Sequence, residues 1–302
     1  MKESLINKLN KLKNSFFIKE NLNKNFKFIY FKISELIFLK KIFLGKPLII
    51  GLAGGQGSGK TTFAHFLKLI LENKYDLRTA VVSIDDIYNT KKERIKISKK
   101  INKLFITRGV PGTHNVKFLD IFFKMLKNNK VNKFYSIPKF DKSIDDRLPK
   151  SKWHHFKKKI DIFILEGWCV GARPEKNLDN LKKPINKLEA IEDKNCKWRF
   201  NVNQHLKSDY KELFSFIDLM IYLKVPNFKK VLAWRGLQEK KLAYSKRNMS
   251  LNKMKIMTEN EIKRFIMFYE RITKKMLIDM PNFADIIIPI NSNHQPKKII
   301  LN

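Results

Sequence analysis

The stretch GLAGGQGSGKTTFA, residues 51–64, constrains this chain more than any other part of it. Gly54, Gly59, Lys60 and Thr61 satisfy the pattern G-x-x-x-x-G-K-[ST], whose chemistry needs a buried strand running into the glycines and a helix leaving from the lysine. Gly54, Gly55, Gln56, Gly57, Ser58 and Gly59 would then turn successive backbone N–H groups inward around phosphate oxygens. The helix behind them aims the positive end of its dipole at the same charge. Lys60 is expected to reach the β- and γ-phosphates of ATP, and Thr61 to place its hydroxyl in the shell of a Mg²⁺ ion. Thr62 is expected to complete the nucleotide contacts. A glycine-rich turn matching by chance would lack the flanking strand and helix, and this sequence supplies both.

The rest of the chain repeats that alternation. Pro47 to Leu52 (PLIIGL) is a short apolar run suited to a buried parallel strand, and Lys60 to Asn73 has helical spacing through Phe63, Phe66, Leu67 and Ile70. Further strands are expected at 79–84 (TAVVSI), 161–168 (DIFILEGW), 219–225 (LMIYLKV) and 284–290 (ADIIIPI), the last closing the sheet. Helical segments between them predict an α/β fold, a P-loop NTPase with three α/β/α layers, a parallel sheet and a helical lid. Residues 1–45 read as a basic helical leader without an assigned role, and 46–302 as the catalytic domain. Within that domain, 176–200 reads as a polar surface excursion. The long Lys- and Arg-rich helical region at about 226–280 stands where a mobile lid is expected.

Composition bears on partners. The formal charge is +35 at pH 7, which taken alone suggests nucleic acid or an anionic membrane. Lys, however, outnumbers Arg about five to one and is spread along the whole chain among Asn, Ile and Phe, as an AT-rich genome would encode. Arg, the residue suited to planar phosphate and base recognition, is scarce, so no specific nucleic-acid partner is expected. Phe26 to Phe43 is apolar in patches, but Lys27, Lys32, Glu35, Lys40 and Lys41 interrupt it, so no transmembrane span is expected. The amino terminus has no export-signal pattern. Two cysteines, Cys169 and Cys196, are too few for a disulfide scaffold and fit a reducing, cytoplasmic setting, each as a buried or bystander thiol.

The phosphate loop does not name the acceptor. NKYD at Asn73 to Asp76 resembles a guanine-reading motif but comes directly after the first helix, too early to reach a base, and no D-x-x-G switch follows the next strand. Residues just past the carboxyl ends of parallel strands face the ligand crevice. There, in SIDDIY, Asp85 is the candidate base for an acceptor hydroxyl, and Asp86 a candidate partner of Mg²⁺ or of the substrate. Glu166, in ILEGW, follows four apolar residues at the next strand's end and is expected to hold Mg²⁺ or its water. Two loops, RGVPGTHN (108–115) and IPKFDKSIDDR (137–147), concentrate Arg, His, Asp and Lys between Gly and Pro turns. They supply Arg108, His114, Asp141, Lys142 and Arg147 as candidate contacts to a small-molecule acceptor, the cations for an anionic one. His114 is as well explained by a structural role.

Taken together, GGQGSGKTT, SIDDIY, RGVPGTHN, PKFDKS with DDR, and ILEGW resemble the D-glycerate 3-kinase family of plants and cyanobacteria and its fungal P-loop kinase relatives. More distantly the set resembles phosphoribulokinase, uridine kinase and bacterial pantothenate kinase. The resemblance covers about residues 47–292, and WRGLQE (234–239) and MTENEIKRFI (257–266) extend it into the C-terminal helices. It implies ATP- and Mg²⁺-dependent phosphorylation of the 3-hydroxyl of D-glycerate, with Arg235 as a lid arginine stabilising the transferring phosphoryl group. Two positions depart from the pattern. Asn115 replaces an acidic residue after the histidine, and Asp145 replaces a glycine before the Asp-Arg pair. Kinases for nucleosides, pantothenate or phosphosugars, and a nucleic-acid-associated ATPase, stand as alternatives.

Overall fold

The computed structural model describes residues 4–16, 24–128, 135–156, 159–247 and 257–302. In chain order the elements begin with α1 (Leu5–Ser15), α2 (Lys24–Leu44), β1 (Leu48–Gly54), α3 (Lys60–Lys74), β2 (Thr79–Ser83), α4 (Lys91–Lys100) and α5 (Lys117–Lys127). Short strands β3 (Tyr135–Ile137), β4 (Phe140–Asp141), β5 (Asp146–Arg147) and β6 (His154–Phe156) precede β7 (Ile162–Gly167). Then come α6 (Asp179–Lys182), α7 (Lys187–Glu192), α8 (Lys197–Lys207), α9 (Asp209–Phe214) and β8 (Leu219–Lys224). The chain ends with α10 (Phe228–Arg247), α11 (Glu259–Asp279), β9 (Ile286–Pro289) and β10 (Ile300–Leu301).

The central sheet has the order β10-β9-β8-β1-β7-β2, parallel except for β10. Every residue of β1 and β7 is buried, as expected of strands covered on both faces. Alternate side chains of β1 serve opposite faces. Ile49 and Ala53 join a core with α5, α8, α9 and α11, while Leu48, Ile50 and Leu52 join a second core with α2 and α3. The three layers follow directly. The strand expected at 284–290 does not close the sheet, because β10 pairs antiparallel beyond it. The strand expected to reach residue 84 ends at Ser83, whose hydroxyl accepts from the Asp85 amide while the Asp86 carboxylate accepts from the Ser83 amide. That reciprocal cap winds Ile84–Ile87 into one 3₁₀ turn.

The leader packs into the fold. Ile29, Tyr30, Ile33 and Ile37 of α2 are buried in the second core, and the Tyr30 ring lies 4.6 Å from that of Phe63 on α3. The segment 176–200 is more than a surface excursion. It forms α6, α7 and the start of α8 around buried charges, which hide its periodicity from a hydrophobicity reading. Glu189 accepts from Arg271 of α11 at 2.8 and 2.6 Å, and Asp193 pairs with Arg199 at 3.2 Å. The expected lid resolves into α10 and α11, with 248–256 outside the described residues. Among the described residues no helix is long and apolar enough to cross a membrane.

Candidate active site

Three strand ends build the site. In register, Glu166 of β7 lies beside Leu52 of β1 on one side and Ser83 of β2 on the other. The phosphate loop therefore adjoins Glu166, and the SIDDIY turn adjoins it from the opposite flank. Gly57 and Gly59 take φ of +77° and +86°, values that favour glycine and let the loop curl around an open centre. A Cβ on Gly57 would lie 2.7 Å from that of Trp234, whereas one on Gly59 would meet nothing within 4 Å, so the cradle is open there. The Lys60 ammonium folds back onto the Gly55 carbonyl at 3.0 Å. Inside the loop the Ser58 hydroxyl is buried with no partner among the described residues, a donor available to a phosphate oxygen, and the Gln56 amide oxygen is likewise unpartnered. Trp234 of α10 and His294 close over the loop from outside, their rings 4.2 Å apart, and His294 Nδ1 lies 2.9 Å from the Gly57 carbonyl.

Glu166 is 4% exposed and accepts from the Thr61 hydroxyl at 2.8 Å. Burial, helped by the Asp85 charge, pushes its carboxyl above the usual range against the opposing pull of Lys60 and Thr61. A hydroxyl backed by a carboxylate fits the way Mg²⁺ is held on nucleotide phosphates, where the protein gives few ligands and water fills the rest. Among the described residues no group of three or more His, Cys, Asp or Glu side chains could by itself hold a metal. Asp86 does not join Thr61 and Glu166. Its carboxylate caps the Ser83 amide and lies 3.0 Å from His154 Nε2.

Asp85, the candidate base, has both oxygens engaged. Oδ1 accepts from the Tyr88 hydroxyl at 2.9 Å and Oδ2 from the Lys142 ammonium at 2.6 Å. Burial acts to raise this carboxyl, but Lys142 and Tyr88 outweigh it and hold it well below the usual carboxylate range. Lys60 is pulled the other way, its pKa lowered by burial against the charges of Glu166 and Asp85. Two cations, Lys60 and Lys142, and two carboxylates, Asp85 and Glu166, thus lie within electrostatic reach of one another. Tyr88, unassigned in the sequence reading, follows Asp85 by three residues, the spacing that one 3₁₀ turn brings onto a common side.

The other predicted acceptor residues divide. His114 is buried, with Nδ1 2.5 Å from the Tyr210 hydroxyl and its ring 4.3 Å from that of Tyr88. Its Nε2 has no partner among the described residues, and burial lowers its pKa to about 4. Arg108 pairs with Asp145 and donates to the Lys142 carbonyl at 3.4 Å. Arg147 is spent on the Tyr88 carbonyl at 3.0 Å and Glu93 at 3.2 Å. Asp141 caps its own turn through the Ser143 amide and hydroxyl. Asp145, the departure from glycine, keeps the conformation a glycine would suit, with φ +54°, and binds the buried Arg94 at 2.9 Å. Arg235 lies with its guanidinium 5.5 Å from the Phe265 ring of α11, and acts with Arg108 on Tyr269, whose hydroxyl burial raises. Cys169 is buried and its thiol raised by burial.

Comparison with known proteins agrees with this geometry. The Phosphoribulokinase / Uridine kinase family matches residues 49–182. A protein described as an uncharacterized kinase of Schizosaccharomyces pombe is 30% identical over 82% of this chain and 90% of its own length. The chloroplastic D-glycerate 3-kinase of Arabidopsis thaliana is 28% identical over 63% of this chain and 40% of that protein. Among solved structures, a D-glycerate 3-kinase from Cryptococcus neoformans superposes with a TM-score of 0.75 at 23% identity, covering 91% of this chain and 99% of that one.

Proposed function

The chain belongs to the phosphoribulokinase/uridine kinase family and is an ATP-dependent P-loop kinase, and from that premise we propose that its acceptor is a small hydroxy acid, D-glycerate. The observation that carries the reading is the meeting of Asp85 with Lys142 beside the phosphate loop: a carboxylate able to take a hydroxyl proton, next to a cation able to hold an acid group. The Tyr88 ring supports a small acceptor. It stacks on His114 at 4.3 Å and is 2% exposed, so it offers no platform for a nucleobase.

In this reading the loop from Gly54 to Thr62 binds the triphosphate, and Lys60 leaves the Gly55 carbonyl to reach the β- and γ-phosphates. Thr61 and Glu166 would hold Mg²⁺, which when bound would shield charge on the transferring group. Asp85 orients the acceptor hydroxyl, and Arg235 approaches from α10 to stabilise the transition state. The setting is cytoplasmic. The test is an acceptor screen with Mg·ATP across D-glycerate, nucleosides, pantothenate and phosphosugars, reading the phosphorylated product. The Asp85→Asn protein is expected to lose about 10²–10⁴-fold in kcat with its ATP affinity retained. Near-normal turnover in a folded sample would remove Asp85 from its role, and a product other than phosphoglycerate would replace the acceptor.

A further inference from the structure

Lys142 sits in the turn between β4 and β5, and that turn is fastened on every side. Asp141 holds the Ser143 amide at 2.8 Å, Asp145 grips Arg94 and Arg108, and the Leu148 amide bonds the Lys139 carbonyl at 2.8 Å. Arg108 also donates to the carbonyl of Lys142 itself. The backbone is therefore fixed while the side chain, 57% exposed, reaches across to Asp85 Oδ2. Of the three cations assigned to the acceptor, Arg108 is committed to Asp145 and Arg147 to Glu93. The partner of Lys142 is the candidate base.

We propose that Lys142 is the specificity determinant of the site: it occupies Asp85 until an acceptor bearing an anionic group takes the ammonium over. The inference rests on the kinase reading above. Transfer of Lys142 to the acceptor carboxylate exchanges one charge-assisted bond for another and frees Oδ2 for the acceptor hydroxyl. The hydroxyl oxygen then bonds to the γ-phosphorus, the bond to the β–γ bridging oxygen breaks, and its electron pair leaves on ADP. The hydroxyl proton passes to Asp85 and on to solvent. Water and neutral alcohols bring no anion to Lys142, so the base stays occupied and ATP is spared. Lysine suits this exchange because its charge is a compact point on a flexible stem, whereas arginine is a planar fork.

The experiment compares wild type with Lys142→Met and Lys142→Arg on D-glycerate, its neutral amide D-glyceramide, and ATP without acceptor. Circular dichroism and ATP affinity verify the fold of each variant. Wild type is expected to favour glycerate over glyceramide by about 100-fold in kcat/KM, the scale of one charged hydrogen bond, with little hydrolysis of ATP alone. In Lys142→Met the glycerate value should fall about 100-fold while glyceramide use and acceptor-free hydrolysis both rise. Lys142→Arg should recover at least about tenfold of the preference. Wild type using both acceptors equally, or Lys142→Met lowering both alike, overturns the inference and leaves glycerate kinase standing. A wild-type enzyme that ignores glycerate but phosphorylates a neutral acceptor overturns both.

Discussion

His114 shows how a residue chosen for one reason turns out to matter for another. Its position in RGVPGTHN marks it as a hydroxyl-binding candidate, yet it is enclosed between Tyr88 and Tyr210 and is neutral in the fold. Its pKa falls from 6.5 to about 4, chiefly through burial, with Asp85 and Asp209 opposing. The unfolded chain therefore binds a proton below pH 6.5 that the folded chain refuses until about pH 4. Stability present above pH 6.5 is lost across that window, by about 3 kcal/mol. Urea unfolding at pH 7.5 and 4.5 should show the loss, and His114→Gln should flatten most of it, leaving the smaller share of His65, which shifts in the same direction. An unchanged slope in the variant would mean another group carries the effect. The placement of Asp85, Glu166 and the phosphate loop at neighbouring strand ends is legible because apolar runs ending in glycine or acid mark such ends. Tyr210 is not, since its hydrogen bond is to His114, a residue that only the fold brings near, and Tyr88 meets Asp85 through a 3₁₀ turn that begins at Ile84, where a strand is expected. The same holds for Arg147 and Asp86, whose side chains meet Glu93 and His154.

At the level of elements, sequence reading works where burial is apolar and fails where it is ionic. β1, β7 and β8 are apolar runs and were found within a residue or two of their ends. The region 176–200 was not, because Glu189, Asp193 and Arg199 look like solvent-facing residues yet are at most 3% exposed. These charges tie α7 and α8 to α11, which in turn supports the acceptor loop by the Tyr269 hydroxyl donating to the Arg108 carbonyl at 3.4 Å. Removing one member of a buried pair leaves its partner charged and unmatched. Glu189→Ala is accordingly expected to destabilise the protein by about 3–5 kcal/mol, read as a fall in denaturation midpoint. A change under about 1 kcal/mol, the scale of an exposed pair, would show that Arg271 finds compensation elsewhere.

For the molecule as a whole, the three-layer plan followed from the alternation of strands and helices, whereas the place of the amino-terminal helices did not. The lysines of α2 obscured a face that buries Ile29, Tyr30, Ile33 and Ile37 against α3, the helix that carries Lys60 and Thr61. A chain beginning at residue 45 would uncover that face, and each large apolar side chain lost from such a core costs about 2–5 kcal/mol. Soluble yield and melting temperature of the truncated protein should both drop sharply. An unchanged melting temperature would show the two helices to be dispensable. The sheet order has a further consequence, for synthesis on the ribosome. β1 bonds to β7 and β8, and the nearer of them follows on the order of a hundred residues later in the chain. At about 5–20 residues per second, the strand leading into the phosphate loop leaves the exit tunnel about 5–20 s before its first sheet partner exists. During that interval the α2 and α3 side chains are its native cover, on one face only, and nascent PLIIGL keeps its other face and both edges open until Ile162–Gly167 arrives.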